Sequence, residues 1–143
     1  MLEVFKITDD SQLKEAFRIR QEVFVVEQRV DPELEYDEHE NISTHYLALI
    51  DDKPAGTARF RKTEKGIKLE RFAVLESYRN KGVGKALVEH VIKDVKALNP
   101  PEIYLHAQMQ VIPFYEKYGF EAKGEIFEEA GILHRIMYYR PTA

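Results

Sequence analysis

Cysteine is absent from the 143 residues, so disulfides, thiolate nucleophiles and cysteine-ligated zinc are all excluded. No apolar run approaches the roughly 20 residues that a membrane-spanning helix needs. Internal repeats, low-complexity tracts and linker-like stretches are also missing, so residues 1–143 read as one domain. The start, Met1-Leu2-Glu3-Val4-Phe5-Lys6, lacks the charged and apolar regions of a signal peptide, and a cytoplasmic protein is expected. An excess of positive charge is lacking too: the formal net charge is −4, which argues against nonspecific nucleic-acid binding. What is present is 44% apolar and 32% charged residues, the balance of a soluble globular chain long enough to bury a full core.

Apolar periodicity divides the chain into ten elements. Leu2 to Ile7 alternates as a first strand, and Asp9, Asp10 and Ser11 offer N-caps to a helix with apolar positions Leu13, Ala16, Phe17 and Phe24. Asp31 to Glu40 reads as irregular and acidic; it could form one wall of a binding site and attract a cationic amine, though most of its charges are expected to be solvated. Strands follow at Tyr46 to Ile50, Gly56 to Arg61 and Ile67 to Val74, separated by the turns Asp51-Asp52-Lys53-Pro54 and Glu64-Lys65-Gly66. A helix is predicted from Lys81 to Leu98, with Val83, Leu87, Val88, Val91, Ile92 and Val95 on one face, and Asn99-Pro100-Pro101 stops it. Ile103 to Ala107 is a strand that completes a β-α-β unit. Val111 to Tyr118 is a short helix closed by Gly119, and Phe120 to Tyr139 is a final hairpin. The order β-α-β-β-β-α-β-α-β-β defines a mixed α/β domain.

The run Arg79-Asn80-Lys81-Gly82-Val83-Gly84 sits between the strand ending at Val74 and the long helix. Two glycines allow close backbone approach, and the first helical turn offers unpaired N–H groups at the positive dipole end. That suits a phosphate or pyrophosphate, with Arg79 and Lys81 adding charge beside it. An ordinary glycine turn capping a packed helix would show the same two glycines. The run also matches the Arg/Gln-x-x-Gly-x-Gly/Ala motif and so resembles the GNAT superfamily of acetyl-CoA-dependent N-acetyltransferases. Some 30 residues on, Phe114-Tyr115-Glu116-Lys117-Tyr118-Gly119-Phe120 is similar to that superfamily's second signature. Ile19 to Gln28 and Gly131-Ile132-Leu133-His134 resemble its ElaA-like branch. The resemblance covers essentially the whole chain. It implies a central, mostly antiparallel twisted sheet with a β-α-β core for acetyl-CoA and helices on both faces.

The resemblance also implies roles. The amides of Asn80, Lys81, Gly82, Val83, Gly84 and Lys85, with Arg79, would hold the pyrophosphate, and the pantetheine arm would lie along Phe72, Ala73 and Val74 by strand addition. Tyr115 would protonate the departing thiolate; amphipathic core packing is the alternative for it, and Tyr118 is the better packing residue. An alkylamine with pKa about 10.4 must lose a proton before attack. Glu70, read as in phase with Phe72 and Val74, could take that proton, or could instead pair with a basic neighbour on the sheet. His106 and His134 are other bases or structural residues. Arg20, Phe24, Gln28 and Gln108 would border the acceptor pocket.

Other chemistries fit less well. Gly82-Val83-Gly84-Lys85-Ala86 is no nucleotide-hydrolase loop, since Arg79 stands where glycine is needed and Ala86 where Ser or Thr is. Leu87 stands where a dinucleotide fold needs its third glycine. His39-Glu40 lacks a histidine at position 43, which is Ser43, and no metal is expected. No Gly-x-Ser-x-Gly elbow occurs. The expected activity is acetyl transfer from acetyl-CoA to a primary amine by direct attack in a ternary complex, with homodimers common in the family. The alternative is a non-catalytic acetyl-CoA or CoA sensor of the same fold.

Overall fold

A computed structural model describes residues 1–141. Strand β1 (Leu2–Lys6) leads to helix α1 (Asp10–Arg20), whose N-cap Asp9 accepts the Gln12 amide at 2.8 Å, a bond that satisfies one of the helix's orphan donors. The helix then widens into π-helical turns over Gln21–Glu27. A short helix α2 (Pro32–Glu35) follows, with Asp31 as N-cap and proline in its first turn. Next come β2 (Thr44–Ile50), β3 (Lys53–Lys62), β4 (Ile67–Val74), α3 (Val83–Lys96), β5 (Ile103–Gln108), α4 (Ile112–Glu116), β6 (Phe120–Glu129) and β7 (Ile132–Tyr139). They form one seven-stranded sheet in the order β1-β2-β3-β4-β5-β7-β6, antiparallel except for β4 and β5. This is the mixed α/β GNAT fold that the element order predicts.

Helices cover both faces. Helix α3 buries Val83, Leu87, Val88, Val91, Ile92 and Val95 against Leu69, Leu105 and Met137, each side chain contributing about 1.5–3 kcal/mol. On the opposite face, Ile19, Val23 and Phe24 pack with Leu47 and Ala73. Several boundaries differ from the sequence reading, among them β3, which already starts at Lys53 within the residues read as a turn. Asp31–Glu40 is not wholly irregular, because Asp31 and Pro32 start α2. Helix α3 begins at Val83, two residues later than expected, because Gly82 is its N-cap with φ 82°. Helix α4 is shorter than Val111 to Tyr118, a 3-10 turn at Met109–Val111 preceding it.

Two irregularities open the sheet where a ligand can enter. Strands β4 and β5 pair only from Ile67/Ile103 to Leu69/Leu105; beyond that, β4 keeps its partner β3 but loses β5. On the β3 side, Arg59 faces Glu70 while Thr57 faces Ala73, so Ala58 opposes both Arg71 and Phe72. This is a β-bulge, and Arg71 takes a left-handed φ of 59° within it. The extra residue reverses the alternation of side chains. Ile67 and Leu69 pack toward α3 before the bulge, and so do Phe72 and Val74 after it. Glu70 is therefore not in phase with Phe72 and Val74, contrary to the strict alternation assumed from sequence; it faces the α1 side.

Candidate active site

The loop between β4 and α3 forms one wall of a groove of about 500 Å³. Asn80 (φ 63°) and Gly82 (φ 82°) both adopt left-handed backbone, which curls the chain under the helix start. Glycine takes such a φ without strain, and asparagine is among the few other residues that visit it routinely. The first α-helical bond is donated by Ala86 to Gly82 O at 3.0 Å, so the amides of Val83, Gly84 and Lys85 have no helical acceptor. A Cβ on Gly84 would come within 3.3 Å of the Phe114 ring and narrow the groove. Phe72, Ala73, Val74, Arg79, Asn80, Gly82, Val83, Gly84 and Lys85 all line it. Lys81 does not. Arg79 is also less available than expected, since Nε donates to Val74 O at 3.0 Å and its two terminal nitrogens donate to Glu27 at 2.8 and 2.6 Å.

A second cavity, of about 400 Å³, opens on the α1 side of the sheet. Its lining includes Phe24 and Gln28 from the end of the first helix, Glu35 and Asp37 from the acidic segment, and Arg61, Lys68 and Glu70 from β3 and β4. His106 and Gln108 of β5 and Glu129, Ile132 and His134 of the β6–β7 hairpin complete it. The π-helical turns matter here: Val30 N donates back to Phe24 O at 2.8 Å, and Gln28 accepts from Gln108 Nε2 at 2.9 Å, tying helix to sheet across the cavity. Both histidines have a settled tautomer. His134 Nδ1 lies 2.7 Å from Ile132 O and His106 Nδ1 lies 3.2 Å from Glu129 Oε2. A carbonyl or carboxylate only accepts, so in each neutral ring Nδ1 carries the hydrogen and Nε2 is bare. The hydrogen bond from His106 and, against it, burial set the Glu129 carboxyl, whose pKa is lowered overall.

Two sequence expectations fail on this face. Arg20 is 1% exposed and lines neither cavity. Its Nε donates to Glu35 at 2.6 Å and its terminal nitrogens donate to Glu40 at 2.9 and 2.7 Å, so it anchors the acidic segment and does not border the acceptor. Glu70 is similarly committed. It accepts from Arg59 and Arg61 and pairs with Lys68 at 3.0 Å. Burial opposes its ionisation, but the three cations outweigh that and bring its pKa to about 2, which makes it a very weak base for an ammonium group. Nor are the acidic charges mostly solvated. Glu35, Asp37 and Glu40 are held by Arg20, Arg59 and Arg71. Sequence reading missed Arg59, Arg61, Arg71 and Glu129, whereas Glu35 and Asp37 belong to the acidic segment that could wall the site, and both line the cavity. The alternation Arg59-Phe60-Arg61 in a strand was the available signal, since it places two arginines on one face opposite Glu70.

The two cavities meet. Phe72, Val111 and Tyr115 line both, at the level where β4 and β5 have parted. The Phe72 and Tyr115 rings pack edge to face at 6.1 Å. Tyr115 is 8% exposed, and burial alone pushes its phenol pKa up, so it holds its proton at neutral pH. Tyr118 packs edge to face on Phe114 at 5.1 Å, the packing role expected of it.

Known proteins share this arrangement. The family model described as acetyltransferase (GNAT) domain matches residues 7–140. YjcF of Bacillus subtilis, named as an uncharacterized N-acetyltransferase, is 42% identical over 130 residues, covering 90% of this chain and 93% of that protein. Protein ElaA of Escherichia coli is 30% identical over 129 residues, covering 87% and 84%, and its crystal structure superposes with a TM-score of 0.84 at 27% identity over 96% of this chain and 99% of that one. A GNAT acetyltransferase from Elizabethkingia anophelis, solved with acetyl-CoA bound, shares the fold at TM-score 0.70 and 20% identity, over 96% and 94%. With the glycine turn, the parted strands and these relatives in agreement, the chain is an acyltransferase and belongs to the GNAT family of acetyltransferases.

Proposed function

We propose that this protein moves the acetyl group of acetyl-CoA to a primary amine by direct attack within a ternary complex. The observation that carries the reading is the junction at Phe72, Val111 and Tyr115, where a groove shaped for the donor opens into a separate polar cavity. The free amides at the start of α3 would take the pyrophosphate, and the unpaired edge of β4 at Phe72 to Val74 would take the pantetheine amides by strand addition. The amine would enter from the α1 side. Holding the two reactants at one junction would supply much of the rate.

Proton transfer divides between two residues in this reading. Attack forms a tetrahedral intermediate; its collapse breaks the C–S bond, Tyr115 gives its proton to the leaving thiolate, and the second proton lost by the nitrogen restores the phenol through water. His134, with Nε2 bare and Nδ1 fixed on Ile132 O, takes the proton of the incoming ammonium directly or through water, and His106 with Glu129 offers a second acceptor close by. Glu70 has no part in it. Non-catalytic CoA sensing is the weaker reading, because a buried phenol at the junction has no use in binding alone.

Calorimetry with acetyl-CoA, CoA and ATP, followed by thiol release across a panel of amines, tests the reading. Tyr115→Phe is expected to lower kcat about 100-fold or more while acetyl-CoA affinity stays within about twofold. Equal turnover in variant and wild type removes Tyr115 from the mechanism. Acetyl-CoA binding with no thiol release from any amine would favour the sensor.

A further inference from the structure

One wall of the α1-side cavity is an ion network whose charges balance once Glu129 is counted, but whose hydrogen-bond donors are not all used. Five cations, Arg20, Arg59, Arg61, Lys68 and Arg71, share four carboxylates, Glu35, Asp37, Glu40 and Glu70. Three of the cations lie within the network. Arg20 and Arg59 are fully buried with every terminal nitrogen bonded to an acceptor, and Arg71 reaches Glu35 and Asp37. The unused donors sit on the other two. Arg61 uses Nε alone, on Glu70 Oε1 at 2.9 Å, and among the described residues its two terminal nitrogens meet no acceptor. Lys68 touches Glu70 Oε2 at 3.0 Å with two further N–H groups in hand. Both side chains are partly exposed, 18% and 12%, and both line the cavity. The other carboxylate in the lining, Glu129, is bound to His106.

We propose that the acceptor amine carries a carboxylate and that Arg61 and Lys68 bind it. A guanidinium with both terminal nitrogens free matches the two oxygens of a carboxylate. The sheet sets the spacing between carboxylate and amine. Lys68 pairs with Tyr104 on β5 before the strands part, and with Arg61 it bends toward Glu70, two residues along β4. His134 pairs with Gln108, four residues beyond Tyr104. The two residues left between these levels span about 7 Å. An α-amino group lies much closer than that to its own carboxylate. The acceptor class is therefore a terminal or side-chain amine separated from its carboxylate by several methylenes, and free α-amines of amino acids are poor fits. This inference rests on acetyl transfer at the same junction.

The experiment compares 6-aminohexanoate, hexylamine and glycine. Two readouts are used: thiol release from acetyl-CoA, and calorimetric binding to the CoA-loaded protein, which needs no turnover. The expected result is kcat/KM at least tenfold higher for 6-aminohexanoate than for hexylamine or glycine, with the same preference in binding. Arg61→Gln, and separately Lys68→Gln, should shrink the ratio of 6-aminohexanoate to hexylamine to about threefold or less, through KM. Because the ratio is taken within one variant, partial loss of folded protein cancels. Equal use of hexylamine and 6-aminohexanoate by the wild type, or an unchanged ratio in both variants, overturns the carboxylate site and leaves acetyl transfer standing. A carboxylate preference in binding with no thiol release from any amine does the reverse.

Discussion

Replacing Arg59 with methionine tests the ion network that builds the acceptor-side wall. Arg59 is 0% exposed and donates five hydrogen bonds: two to Glu70, two to Asp37 and one to Glu40. Methionine keeps much of the aliphatic volume but leaves three carboxylates short of a cation. Removing one partner from a buried ion pair costs about 3–5 kcal/mol. Arg61 and Lys68 still serve Glu70, Arg20 serves Glu40, and Arg71 serves Asp37, so the lower end, about 3 kcal/mol, is expected. With an unfolding entropy near 2.1 cal/mol/K per residue, 143 residues give roughly 0.3 kcal/mol/K and a Tm drop of about 10 °C. Differential scanning calorimetry at pH 7, with urea unfolding as a second measure, reads it directly. Adding Asp37→Asn to Arg59→Met should recover part of the loss, because the carboxylate left with Arg71 alone at 3.2 Å is neutralised. A Tm drop below about 3 °C for Arg59→Met would refute the reasoning. A double variant no better than the single one would locate the cost in packing and not in unpaired charge.

Acid should weaken the same network. Burial raises and the arginines and Lys68 lower the carboxyl pKa values of Glu70, Asp37 and Glu40, and the net direction is down, to about 2 for Glu70. A group with a depressed folded pKa contributes stability above its unfolded value, and that contribution is lost as pH falls toward the folded one. The urea midpoint should therefore fall between about pH 5 and pH 2, with Glu35, pushed upward by burial, subtracting from the effect; a flat midpoint across that range would contradict it. Gly82→Ala forces a side chain onto φ 82° and should cost about 1–2 kcal/mol. It should also weaken acetyl-CoA binding several-fold, read by calorimetry, and unchanged affinity would detach the helix start from the donor site.

Much of the donor side was legible from residue types because its requirements are local. Gly82 is needed where the backbone turns left-handed, and the helical spacing of Leu87, Val91 and Val95 fixes the face that α3 buries. Those demands are met within a few residues of chain, so composition and spacing report them. Tyr115 was marked instead by its place in a family signature four residues before Gly119, and it lines the junction of the two cavities.

The acceptor side depends on segments far apart in the chain. Arg59 meets Asp37 and Glu40 across about twenty residues of sequence and Glu70 across a strand pair. Whether those charges face solvent or one another is a matter of burial, which residue type does not encode. The bulge at Arg71 is settled by the pairing of β3 with β4, and it turns Glu70 away from the face of Phe72. The π-helical turns that bring Gln28 to Gln108 likewise answer to the sheet they pack on. Residue order thus determined the fold, the family and the donor groove through local backbone chemistry. Tertiary packing decided which carboxylates are neutralised, which histidine nitrogens are bare and which arginine nitrogens stay free, because each is a property of groups brought together from different strands.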